Sequence, residues 1–231
     1  MNSIKLSDRL MMNVSMVSKT DCIADIGCDH AYASIWLVQN KVCDRVIAMD
    51  VNEGPLKKAA ENIERYGLKD SISIRLSDGT KKLEKGEADG LIIGGMGGML
   101  IVSILDARPD VISLMDQLIL QPQSDAHKVR QYLRSIGMKI DREEMLCEDG
   151  KYYTSIRAVK KEKDCRKDNL TDDIIFDMYG EYLLDNKNEV LKERLLKQLE
   201  LLKKSGEKSE GNEQLLQKIE YIERGLKFYG M

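Results

Sequence analysis

Residues Cys22-Ile23-Ala24-Asp25-Ile26-Gly27-Cys28-Asp29-His30 constrain this chain more than any other stretch. Cys22 to Ile26 reads as a short buried strand, Gly27 permits a tight turn, and Ala31 to Gln39 places apolar residues at helical spacing. A strand that turns at a glycine into a helix aims the free N–H groups of the turn and of the helix start at a nucleotide. The turn runs Gly-x-Asp-x-x-Tyr from Gly27 to Tyr32, without the second and third glycines of a dinucleotide turn. Asp29 repels a phosphate, so the turn suits a cationic or zwitterionic ligand. Taken alone, it is equally a plain strand–turn–helix with an incidental Asp.

The next strands each end in polar residues. Arg45 to Asp50 is apolar and closes on Asp50, with Val51 after it. Asp50 follows the glycine turn by about 20 residues, the spacing at which an acid reaches ribose hydroxyls. The alternative is an Asp that caps the next helix, whose first turn holds Pro55. Ile72 to Leu76 alternates as a strand and runs into Ser77-Asp78-Gly79. There Asp78 can accept from an adenine amino group and Gly79 lets the backbone approach the ring; taken alone, a plain Asp-Gly turn is the stronger alternative. Ala88 to Ile93 leads into Gly94-Gly95-Met96-Gly97-Gly98, a candidate floor for a flat base or a methyl donor; a loop is the plainer alternative. Gln117 to Leu120 ends in Gln121-Pro122-Gln123, whose amides both donate and accept, as a base edge requires; a strand-to-helix turn stiffened by Pro122 is an equal alternative for either residue alone. Ser124 or Gln123 is expected to cap a helix to Ile136, closed by Gly137. A hairpin then joins Lys139–Cys147 to Tyr152–Val159 through Asp149-Gly150. Repeated β/α units followed by a hairpin predict a parallel sheet with one reversed strand near its edge.

A helix precedes all of this, marked by Leu6, Leu10, Val14 and Val17. Lys5, Asp8, Arg9 and Asn13 are read as its solvated face, with a substrate-facing role as the alternative. From Lys160 to Asp168 the chain is a charged linker, and from Thr171 it is helical. Leu191, Leu195, Leu199 and Leu202 form one stripe; Leu215, Ile219, Ile222, Leu226 and Tyr229 form another. Two such stripes around a polar turn at Ser205 to Asn212 predict an antiparallel coiled-coil hairpin. Ile174, Met178, Tyr182 and Leu183 are expected on a third helix against it. The division is therefore residues 1–160 and 161–231, with the second unit gripping a partner or dimerising.

A length of 231 residues suffices for one full core and a small accessory unit. A net charge of −3 excludes a global attraction to nucleic acid, so any basic surface is local. Cys22, Cys28, Cys43, Cys147 and Cys165 contain no Cys-x-x-Cys pair, and with only His30 and His127 no metal site is expected. No apolar run is long enough for a membrane span, and no signal peptide is recognised; a cytoplasmic location is expected. The acidic turn points to S-adenosylmethionine, which carries a sulfonium and an ammonium but no phosphate.

The run from Ala24 to Tyr32, the Gly94–Gly98 stretch, Leu120-Gln121-Pro122-Gln123 and the helical tail together resemble the bacterial tRNA (adenine-22-N1)-methyltransferase family over the whole chain. The resemblance implies a class I, Rossmann-like α/β fold with a C-terminal coiled-coil domain that assists tRNA binding. It implies methyl transfer from S-adenosylmethionine to N1 of adenosine 22. Asp25, Gly27, Asp50, Asp78 and Gly95 match cofactor positions, and Cys28, Asp29, Val51, Gly79, Gly94 and Met96 are expected beside them. Gly97, Gly98, Gln121 and Gln123 are expected toward the base. Two departures stand out: Gln123 replaces a usual Asn, and Cys28 a small hydroxyl residue. N1 carries a free lone pair, so no general base is needed, but the product base is cationic. Asp29 is the first candidate to stabilise that charge, with His30 and Tyr32 as candidate base-positioning groups; for His30, capping of the helix is the favoured reading. N1 lies on the Watson–Crick edge, so a paired adenosine must be unpaired or flipped out. Expected partners are tRNA, with no membrane and no metal, for a monomer or weak homodimer. A methyltransferase for another RNA and a non-catalytic RNA-binding protein are the alternatives. A nicotinamide oxidoreductase is disfavoured by the missing glycines.

Overall fold

The apolar runs assemble into one seven-stranded sheet, ordered β3-β2-β1-β4-β5-β7-β6. The structure is a computed structural model that describes residues 3–161, 173–206 and 212–231. The strands are β1 (Thr20–Ile26), β2 (Cys43–Asp50), β3 (Ile72–Leu76), β4 (Gly90–Gly97), β5 (Gln117–Ser124), β6 (Met138–Glu148) and β7 (Lys151–Lys160). β1 to β5 pair in parallel, and β7 runs antiparallel to both of its neighbours. The single reversed strand thus sits one place in from the edge, as the hairpin predicted.

Helices cover both faces, which is why the central strands are apolar on both sides. On one face lie α1 (Asp8–Val14), α2 (Tyr32–Gln39) and α3 (Glu53–Arg65), packed on Ile23, Val46, Ala48 and Ile92. On the other lie α4 (Gly98–Asp106), α5 (Pro109–Ile112) and α6 (Ala126–Ser135), packed on Ala24, Ile47, Leu91 and Leu118. The chain moves outward from β1 to β3, then returns to β4 on β1's other side. That reversal opens a crevice beyond the carboxyl ends of β1 and β4, where open α/β sheets bind ligands.

Several boundaries differ from the sequence reading. The glycine run is no loop: β4 extends to Gly97 and stays paired with β5, with register shifts on both sides of Met96. The cap of α6 is Asp125, at φ 52, not Ser124 or Gln123; the Ser124 hydroxyl donates to the Asp125 carboxylate instead. α1 ends at Val14, so Val17 reaches the core from beyond the helix.

The tail begins with two short helices, α7 (Asp173–Tyr179) and α8 (Glu181–Asp185), broken at Gly180, whose φ is 89. α9 (Glu189–Gly206) and α10 (Glu213–Lys227) then bury Leu191, Leu195, Ile222 and Leu226 between them. Leu199, Leu202 and Tyr229 of the expected stripes pack against this core, Leu215 and Ile219 do not belong to it, and the buried face of α7 differs from the expected one. Ile175 and Tyr179 enter the core, while Ile174 and Met178 are exposed. The same core takes in Met145 of β6, so the tail packs on the sheet edge. Cys165, most of the charged linker and most of the turn between α9 and α10 lie outside the described residues.

Candidate functional site

The carboxyl ends of β1 to β4 and one face of α1 enclose a cavity of about 540 Å³, a volume typical of small-molecule sites. Its first wall is the turn after β1. Gly27 has φ 73, and the Gly27 and Cys28 N–H groups donate to Met49 O at 2.8 and 2.9 Å. Those two amides are therefore tied to β2, not free to meet a ligand as the sequence reading had it. Beyond them Asp29 and Ala31 both adopt left-handed backbone, at φ 50 and 59. The turn is braced by Ala31 N to Cys28 O at 2.7 Å and by Asn62 Nδ2 to His30 O at 3.0 Å. Strained backbone of this kind persists only where its surroundings hold it.

Asp25, not His30, serves the start of α2. Its buried carboxylate accepts from Ser34 Oγ at 2.6 Å and from the Ser34 N–H. Burial lifts the Asp25 carboxyl to about 6 against the pull of Ser34, and nearby Asp50 adds to the rise. His30 turns the other way: Nε2 lies 3.3 Å from Asp29 Oδ1, and the ring sits 5.5 Å from that of Tyr32. The Asp29 side chain is 74% exposed at the cavity mouth, and Tyr32 is exposed beside it. Burial pushes the Cys28 thiol far up, so it presents a neutral S–H.

The second wall comes from β2 and β3. Asp50 lines the cavity while its Oδ1 accepts from Asn52 N at 2.9 Å, and Asn52, not Asp50, is the cap residue of α3. Val51 is exposed at the rim. Asp78 lines the cavity too and pairs with Lys81 Nζ at 2.5 Å, both side chains largely in water. Gly79, at φ 57, packs so closely on Ile104 that a Cβ there would lie 2.9 Å from its side chain.

The third wall overturns the solvated reading of the first helix. Arg9 and Asn13, one turn apart on α1, face the cavity. Arg9 Nη1 donates to Gln121 Oε1 at 3.1 Å and its guanidinium lies 5.7 Å over the Tyr153 ring. Gln121 Oε1 also accepts from Gly95 N at 3.1 Å. A Cβ on Gly94 would stand 2.8 Å from Asn13 Nδ2, and one on Gly95 3.1 Å from Arg9 Nη1. These glycines make room for the polar face of α1. Gly94, Gly95, Met96 and Gln123 line the cavity; Gly97, Gly98 and Gln121 do not. Gln121 is fully buried behind Arg9. Gly98 is a packing glycine, since a Cβ there would lie 2.5 Å from Ser124 O. Met96 instead rests its methyl on Gly27.

Arg9 and Asn13 thus follow the alternative set beside their solvated reading, and Asn52, Pro55 and Leu100, not singled out as site residues from the sequence, also line the cavity. The usable signal was the four-residue spacing of Arg9 and Asn13, but a solvated face shows the same spacing. The electrostatics divide cleanly. Asp25, Asp29, Asp50 and Asp78 surround the β1–β3 side, while the β4–β5 side has Arg9 and amides. With Gly27 and Cys28 N–H engaged and carboxylates around the turn, a diphosphate finds poor footing there. A sulfonium, an ammonium and a ribose match it. Among the described residues, no group of three or more His, Cys, Asp or Glu converges to hold a metal, and no helix is long and apolar enough to cross a membrane.

A family model described as a methyltransferase domain matches residues 6–156. The chain is 35% identical over 200 residues to the tRNA (adenine(22)-N(1))-methyltransferase of Bacillus subtilis, covering 87% of this chain and 84% of that protein. Its structure is similar to that of a putative tRNA (m1A22) methyltransferase of Streptococcus pneumoniae in complex with S-adenosyl-L-methionine. The two share 30% identity and a TM-score of 0.84, over 96% of this chain and 100% of the other. TrmK of M. capricolum in complex with S-adenosyl-homocysteine gives 26% identity and a TM-score of 0.84, over 96% of this chain and 98% of the other.

Proposed function

Because the chain belongs to the tRNA (adenine-22-N1)-methyltransferase family, we propose that it moves a methyl group from S-adenosylmethionine to N1 of adenosine 22 in tRNA. The observation that carries this reading is the acid-lined crevice at the β1/β4 reversal, with its glycine turn and the acids closing β2 and β3. S-adenosylmethionine, when bound, supplies an activated methyl on a cationic sulfur.

The chain's own residues do the rest. Asp50, with Oδ1 engaged by Asn52 N, offers its carboxylate to the ribose hydroxyls. Asp78, Gly79 and Val51, on the cavity wall, would hold the donor's adenine. Asp25 holds the start of α2 in register through Ser34, and its carboxylate on the cavity wall would favour the cationic end of the donor. Gly94, Gly95 and Met96 bound the space where donor and base meet. Asp29 stands at the mouth, where an incoming base removes it from water. Its carboxylate then favours the cation that develops on the adenine, and favours it more in the transition state than before it. His30 and Tyr32 flank that entry. Residues 161–231 form the second unit, and they assist in holding the tRNA body.

The test is direct. An unmodified tRNA transcript with adenosine at position 22 is incubated with donor labelled in the methyl group, digested, and its nucleosides separated. The label is expected in 1-methyladenosine and absent when position 22 is guanosine. Label in another nucleoside, or equal labelling of both transcripts, overturns the reading.

A further inference from the structure

One polar side chain at the cavity keeps a buried oxygen that nothing among the described residues engages. Asn13 is 1% exposed and lines the cavity, yet its Oδ1 has no hydrogen-bond partner among the described residues. A buried amide left unpaired is costly, and native proteins seldom keep one without a reason. The surroundings are built around it. Gly94 gives its amide room against β4, and neighbouring Arg9 is fixed by Gln121 Oε1, itself anchored on Gly95 N. Asn13 lies on the β4 side of the cavity, across from the acids that close β2 and β3.

We propose that Asn13 is the specificity-determining residue for the acceptor base, reading N6 and N7 of the adenine. This rests on the methyltransferase function argued above. A base that receives a methyl at N1 must leave that atom clear, so its identity has to be read elsewhere. The remaining edge of adenine presents the N6 amino donor beside the N7 acceptor. A carboxamide is the complement: its oxygen accepts from N6 and its nitrogen donates to N7. Guanine sets an acceptor, O6, where adenine has a donor, and leaves Asn13 Oδ1 unpaired. The same contact holds N1 toward the donor side of the cavity. Asn13 therefore selects adenine and orients it in one act.

The test is a cycle of base analogues against variants of the full-length protein. Transcripts carry adenosine, 7-deazaadenosine (no N7) or purine riboside (no N6 amino group) at position 22. Single-turnover rates are measured at saturating donor, and donor affinity by calorimetry. Wild-type protein should lose roughly 10–100-fold on each analogue. Asn13→Ala should lose a similar factor on adenosine, then less than about 3-fold more on either analogue, with donor affinity unchanged. The analogues alter N1 itself, but that effect is common to both proteins and cancels in the cycle. Asn13→Asp keeps the shape and the acceptor but not the donor. It should become indifferent to loss of N7 and stay sensitive to loss of N6. Equal fold-losses on all three bases in both variants, or weakened donor binding, overturns the assignment. Wild-type protein that leaves the adenosine transcript unmethylated brings down the functional reading and this assignment with it.

Discussion

Asp25 shows how one buried acid couples structure to ligand. Its carboxyl titrates near 6, because burial outweighs the hydrogen bonds from Ser34. In the unfolded chain it titrates near the ordinary value of 3.8. The folded state therefore binds this proton more tightly, and Asp25's contribution to stability falls as pH rises from about 4 to 6, then levels. Binding of a cationic donor should run the opposite way, strengthening across that window as Asp25 ionises. Thermal melts and donor titrations from pH 4.5 to 7.5 should show the two trends crossing, and Asp25→Asn should flatten both. A donor affinity in the wild type that ignores pH would remove Asp25 from the charge balance. At this scale the sequence was partly legible. Asp25, Asp50 and Asp78 were readable because each sits within or just beyond a recognisable strand. Arg9 and Asn13 were not, because polar residues facing a cavity and polar residues facing water share one helical period.

The glycine run illustrates the same limit for an element. Its composition announced that something approaches the backbone, but not what. Gly94 and Gly95 admit side chains of α1, while Gly98 admits the backbone at the β5–α6 junction. Gly97 needs no such room: a Cβ there would meet Ser124 Oγ at 3.5 Å, an ordinary contact. Gly98→Ala should therefore push α4 from β5 and cost about 1–3 kcal/mol, the scale of overpacking. That corresponds to a melting temperature lower by roughly 2–12 °C for a chain of this size. Gly97→Ala should change stability by less than about 0.5 kcal/mol. Differential scanning calorimetry on the pair decides it, and equal effects would mean that the close approach of Gly98 to Ser124 O does not set the cost. The tail helices show a second kind of illegibility. Asp173 to Tyr179 holds apolar residues on two adjacent faces, so the buried face was ambiguous until Gly180 broke the helix and set it.

On the scale of the whole molecule, the helical tail is fastened to the sheet and its helices by a buried polar clamp. Arg130 of α6 donates through Nε to Glu143 of β6 at 2.8 Å and through Nη1 to Asp177 O at 2.6 Å. Arg134 and Gln131 both hold the Asp177 carboxylate. The Arg130 and Glu143 side chains are 3% and 0% exposed, and Gly180 is seated against the Glu143 carboxylate, where a Cβ has no room. The cavity, by contrast, draws every lining residue from Arg9 to Gln123. The change of composition at Lys160 is visible in the sequence, but the clamp is not, since its charges look like surface charges. Removing one member leaves a buried charge without its partner, which costs about 3–5 kcal/mol. Arg130→Met should thus lower the melting temperature by roughly 6–20 °C. If the clamp makes the units one cooperative body, the drop comes as a single transition, and donor should raise the whole of it through binding to the folded state. If the units fold apart, a separate early transition appears that donor does not move. Below either transition, donor affinity should match wild type, because the clamp touches none of the cavity walls. Calorimetric scans with and without donor distinguish the outcomes, and a split transition would show the sheet to be stable without its tail.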